Sequence, residues 1–129
     1  MDLNKFNKIE PYSLAKSDKE KLLFEALMYL TKYHYDKCGY YKNIIDKLHI
    51  DKNTIKTTRD IPFIPVRLFK EFELKSVSNE EVFKMLTSSG TSGQSVSKIY
   101  LDKINIANQT KTLAHIITCL LYTSPSPRD

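Results

Sequence analysis

Apolar residues fall into three patterns along the chain, and each predicts a different local structure. Leu22, Leu23, Ala26, Leu27, Leu30 and Tyr33 recur at steps of three and four, while Lys19, Lys21, Glu25 and Lys32 fall on other faces. That is one stripe of a helix. Ser17, Asp18, Lys19 and Glu20 just ahead of it have the spacing of a capping box, so the helix is expected to start there. Gly39 is expected to break it or to separate it from a second helix carrying Tyr40, Tyr41, Ile44, Ile45 and Leu48. The tyrosines Tyr29, Tyr33, Tyr35, Tyr40 and Tyr41 have faces on which bases stack. At helical spacing they read better as a core edge with hydroxyls at the water boundary.

The next segment, TTRDIPFIPVRLFKEFEL, carries Pro62 and Pro65, which exclude a regular helix and bias Ile61 and Ile64 to extended backbone. A rigid, partly buried connector is predicted, followed by a helical turn burying Leu68, Phe69 and Phe72. Val82, Met85 and Leu86, and then Ile99 and Leu101, suit two short strands. Asp102 stands as a possible N-cap for a closing helix, with Ile106, Leu113 and Ile117 along one side and Ala107 and Ala114 beside them, ending near Thr118. The predicted fold class is mixed α/β: N-terminal helices, the proline connector, a β-hairpin and a closing helix.

Composition adds little to this. The chain has 129 residues, 41% hydrophobic and 27% charged, which is the balance of one folded unit rather than of a disordered segment. A formal charge of +5 would attract any polyanion, but the lysines are scattered and read as solubilising faces. The opening residues MDLNKFNKIE lack the apolar core of a secretory signal, and no run approaches the ~20 apolar residues of a membrane span. Two cysteines, Cys38 and Cys119, then suggest a reducing, cytoplasmic setting with free thiols. His34, His49 and His115 lack metal-ligand spacing, so core-edge or surface places are expected for them and no metal site is predicted.

The chemistry is concentrated in the turn of the predicted hairpin, TSSGTSGQSVSK. A phosphate chain needs several donors converging without carbon in the way. Gly90 and Gly93 let the main chain approach closely, Thr87, Ser88, Ser89, Thr91 and Ser92 add hydroxyls, and Lys98 adds a positive charge. A flexible Ser/Gly linker has a similar composition, but apolar strand-like residues flank this stretch closely. A Walker loop is excluded, since glycine and lysine would be needed at positions 95 and 96, where serine and valine stand. The Gly90-Thr91-Ser92-Gly93 run also has the G-x-x-G form of loops that clamp nucleic-acid backbones, which makes a small basic nucleic-acid-binding module the alternative reading.

The residues TSSGTSGQ followed by SKIYLD resemble the phosphate-loop motif of the adenylate-forming superfamily, and within it the acyl-protein synthetases of the LuxE type. RDIPFIPVRLFKEFELKSV and KCGYYKNII are similar to further segments of that family. The resemblance implies activation of a carboxylic acid, a fatty acid in this family, by ATP with Mg2+. An acyl-adenylate forms first, and the acyl group then passes to a thiol. It places Ser88, Ser89, Gly90, Thr91, Ser92 and Gly93, with Thr87 ahead of them, around the β- and γ-phosphates and makes Lys98 the motif lysine. Lys98 follows Gly93 by five residues where the superfamily lysine follows by three. The resemblance further implies an acyl-reductase or acyl-carrier partner, and makes nucleic acid an unexpected one. No catalytic residue is expected within the chain, and Cys38 is not a candidate nucleophile.

CLLYTSPSPRD, residues 119–129, resembles translated sequencing-adaptor DNA. Residues 1–118 are therefore expected to be the N-terminal fragment of an adenylate-forming domain, inactive alone, and residues 119–129 a non-native tail.

Overall fold

A computed structural model describes residues 6, 8–10, 12–50, 52–89 and 95–123. Helices α1 (Lys16–Lys37) and α2 (Gly39–Lys47) come first, then a connector with a short helix α3 (Leu68–Glu71). A hairpin of β1 (Lys84–Thr87) and β2 (Lys98–Leu101) and a last helix α4 (Lys103–Thr123) complete the chain. Helices and an antiparallel sheet together bear out the mixed fold class.

The entry to α1 differs from expectation. Ala15 is extended (φ −60°, ψ 155°) and its carbonyl accepts from the Lys19 amide at 3.0 Å, so the helix begins before Ser17. An N-cap must itself be non-helical, so Ser17, already inside the first turn, does not cap and no side chain does. Asp18 still places a negative charge near the N-terminal dipole. The apolar stripe holds for Ala26, which is buried, and for Leu22, Leu27 and Leu30, which are half-buried, while Leu23 faces solvent.

The break between α1 and α2 falls on Cys38 rather than on Gly39. Cys38 is extended (φ −112°, ψ 105°), its amide donating to the His34 carbonyl at 2.8 Å and its carbonyl accepting from Lys42 at 2.9 Å. One residue thus ends one helix and starts the next, and its thiol is buried in the corner so formed. Gly39 is the first residue of α2, with no atom within 4 Å of where a Cβ would stand. Ile45 buries the inner face of α2, and the helix ends where His49 turns left-handed (φ 49°).

In the connector, Asp60 Oδ2 accepts from the amides of Lys56 (3.1 Å) and Thr57 (2.8 Å) and from Thr57 Oγ1 (2.9 Å). Ile61, ahead of Pro62, is extended as expected (φ −67°, ψ 128°). Leu68 and Phe69 are half-buried, but Phe72 ends α3 in extended backbone, 38% exposed, its ring centroid 5.4 Å from that of Tyr40. A helix of four residues turns only one side inward, and Phe72 lies past its end.

The strands pair Lys84 with Leu101, Met85 with Tyr100, Leu86 with Ile99 and Thr87 with Lys98. Val82 lies ahead of β1 rather than in it. Leu101 is buried, and Asp102 caps α4 as its position suggested, Oδ1 accepting from the Asn105 amide at 2.6 Å. Helix α4 continues past the expected end at Thr118 to Thr123, because Cys-Leu-Leu-Tyr contains no breaker and the first proline is Pro125. Ile106 is half-buried, while Leu113 (58% exposed) and Ile117 (47%) leave the expected inner stripe in solvent. No helix among the described residues is long and apolar enough to cross a membrane.

Candidate functional site

The hairpin sets the geometry around the serine-rich turn. Residues opposite one another in an antiparallel pair share a face, so Thr87 and Lys98 stand side by side with Met85 and Tyr100 behind them. One step further, the Ser88 amide donates to the Ser97 carbonyl at 3.1 Å, and the Ser97 amide donates to Ser88 Oγ at 3.0 Å. Ser97 is buried and this reciprocal pair closes the neck of the turn. Ser88 is therefore already committed through its amide and as an acceptor, leaving its hydroxyl hydrogen to donate. Thr87, Ser89 and Lys98 are exposed. Gly90, Thr91, Ser92 and Gly93, the centre of the expected phosphate loop, lie outside the described residues.

Glu73 lies close to this face. Its carboxyl is held below the usual carboxylate range first by the hydrogen bond from Lys75, at 2.6 Å, and then by the charges of Lys75 and Lys98. Lys75 also reaches Asn79 and stands over the Tyr100 ring, 5.4 Å from its centroid. Lys98 is exposed and pairs with Thr87 at the end of the ladder, its charge also felt by Glu73, while Lys75 is held by hydrogen bonds. Among the described residues no three His, Cys, Asp or Glu side chains converge as a metal ligand set.

A second feature escaped the sequence. A cleft of about 460 Å3 opens between α1, the proline connector, residues 74–77 and β2, walled largely by Leu27, Leu30, Ile61, Ile64, Phe69 and Ile99. His34 and Ser76 meet at its edge, Nδ1 and Oγ 2.6 Å apart. Burial lowers the His34 pKa from its ordinary 6.5, and the rings of Tyr33 and Tyr41 meet it edge-on at 5.4 and 6.4 Å. His34 therefore lies at the exposed edge of the cleft, within the surface or core-edge places expected of it. Its pairing with Ser76, 42 residues away, left no local trace in the sequence.

Residues 4–126 match the family described as acyl-protein synthetase, LuxE. The chain belongs to this LuxE family. Two named relatives are similar to it, each called a long-chain-fatty-acid–luciferin-component ligase. The one from Photorhabdus luminescens is 30% identical over 84 residues, 65% of this chain and 72% of that protein. The one from Aliivibrio fischeri is 33% identical over 91 residues, 70% of this chain but 22% of that protein. The LuxE-family chain thus spans about a fifth of the second relative's length. No solved structure matches it.

Proposed function

We propose that this chain supplies the phosphate-binding part of a ligase that activates a long-chain fatty acid with ATP. The observation that carries the reading is the hairpin neck, which pairs Thr87 with Lys98 across the strands, at the two ends of a segment of small hydroxyl residues and two glycines. Membership of the LuxE family and the names of the two relatives support the substrate.

In this reading a carboxylate oxygen of the acid attacks the α-phosphorus of ATP. The bond from that phosphorus to the β-bridging oxygen breaks, and pyrophosphate departs with the electron pair. Thr87, Ser89 and the free hydrogen of Ser88 donate to phosphate oxygens, and Lys98 offsets the charge that grows on the leaving group. Gly90, Thr91, Ser92 and Gly93 would add main-chain donors there. The acyl-adenylate then gives its acyl group to a thiol, releasing AMP, and an acyl-reductase or acyl-carrier protein is the fitting recipient. Mg2+ bound with the nucleotide would help to offset the phosphate charge. Glu73, whose carboxyl feels the Lys98 charge, is paired with Lys75 and so is not a ready ligand for that ion.

The test is pyrophosphate exchange into ATP by the protein that carries this chain. Exchange should require a long-chain acid, and Lys98→Ala should slow it about 10- to 100-fold, the worth of one charge-assisted hydrogen bond. Exchange that ignores the acid, or is indifferent to Lys98, refutes the reading.

A further inference from the structure

The cleft beside β2 has a composition that specifies its occupant. Its walls carry few charges, and each of these is engaged elsewhere. Lys75 is held by Glu73 and Asn79, and Asp102 caps α4. His34 and Ser76 satisfy each other, and burial favours the neutral imidazole. What remains facing the space is mostly hydrocarbon and aromatic ring, drawn from α1, the connector, residues 74–77 and β2. A hollow that offers no unpaired charge selects for apolar surface. Its volume of about 460 Å3 lies within the ~300–1,000 Å3 of small-molecule sites.

We propose that this cleft, between α1 and the proline connector, holds the hydrocarbon chain of the fatty acid. The proposal rests on the acid-activating reading and deepens it, because it assigns the substrate's tail to residues far in sequence from the serine-rich turn. The placement suits the chemistry. Ile99 and Tyr100 of β2 both line the cleft, and Lys98 opens the same strand on the Tyr100 face, about 7 Å along it from Tyr100 at the usual strand rise. An acyl chain lying along that strand brings its carboxylate toward the end of the hairpin where the phosphates are proposed to sit. Affinity should then follow chain length, rising about fourfold per methylene until the cleft is full.

The chain contains no tryptophan, so a single one introduced into the wall reports on the cleft alone. Phe69→Trp and Tyr100→Trp place reporters on two of the lining segments, and Phe63→Trp, at a position 84% exposed, is the control. A brominated long-chain fatty acid, added without ATP and below its micellar concentration, should quench both wall reporters roughly twofold at saturation, as for a ligand mostly enclosed. Tetradecanoic acid should reverse this and hexanoic acid should not. In the unsubstituted protein a spin-labelled fatty acid should broaden the amide signals of residues 27–34 and 61–64 in a nuclear magnetic resonance spectrum. The proposal is overturned if the control is quenched equally, or if neither wall reporter responds and those amides stay sharp. Because no nucleotide is present, such a failure would leave pyrophosphate exchange standing, and a failed exchange would leave quenching standing.

Discussion

His49 holds a left-handed conformation (φ 49°) at the end of α2, where the chain must turn away from the helix axis. A Cβ in that region is strained, and the exposed imidazole makes no hydrogen bond among the described residues to offset it. His49→Gly should therefore raise stability by about 0.5–1 kcal/mol, read as a higher urea midpoint at unchanged slope. Asp102→Ala acts in the other direction. It removes the acceptor for the Asn105 amide and should cost about 1 kcal/mol. His34 sets a pH dependence. Because burial lowers its pKa, the folded protein binds a proton less readily than the unfolded chain, so stability is full above pH 6.5 and declines as pH falls through and below that value. His34→Gln should flatten the decline between pH 7 and 5 in thermal melts. Asp60 works on the acid side. Hydrogen bonds from Thr57 and Lys56 hold its carboxyl below its ordinary 3.8, so its contribution is present above that pH and fades as the carboxyl protonates. Asp102 was legible as a cap because a carboxylate stood directly ahead of a helical pattern. The Ser17 capping box matched its spacing equally well and does not form, since the pattern cannot say which residue leaves helical geometry first.

At the scale of elements, periodicity located α1, α2, the hairpin and α4, and the prolines located the connector. It did not foretell which faces would be covered. Ile106 is half-buried, yet Leu113, Ile116, Ile117, Leu120 and Leu121 on the same helix are exposed, because burial depends on what lies opposite and a repeat of three and four records only the helix itself. The contrast gives a stability test. Ile45→Ala, in the buried face of α2, should cost about 2–4 kcal/mol in denaturant unfolding, while Leu113→Gln should change stability by less than about 0.5 kcal/mol. Gly39→Ala should stabilise by about 0.4–1 kcal/mol, since a Cβ meets nothing and the unfolded chain loses freedom. The turn between the strands was assigned from its composition, and its neck now has a physical basis in the Ser88–Ser97 pair. The G-x-x-G alternative asks for a helix on each side of its loop, and this loop is flanked by β1 and β2.

Taken whole, α1 packs on α2 and on the connector, α3 of the connector packs on β2 of the hairpin, and α4 is largely exposed. The cleft arises where α1, the connector and β2 meet, so no single segment announces it. Its lining was read from the sequence only as a rigid, partly buried connector. The hairpin neck is the part most fully foreshadowed, because it rests on residues within a dozen positions of one another. The account predicts that the neck and the cleft are separate sites on one strand, the first for phosphate and the second for hydrocarbon. The most direct measurement is a titration of the isotopically labelled chain with ATP, followed by its amide resonances. Saturable shifts centred on residues 87–98, lost in Lys98→Ala and absent from the scattered lysines of α1, are the predicted result. Shifts spread over those lysines, or none near Thr87 and Lys98, would contradict it.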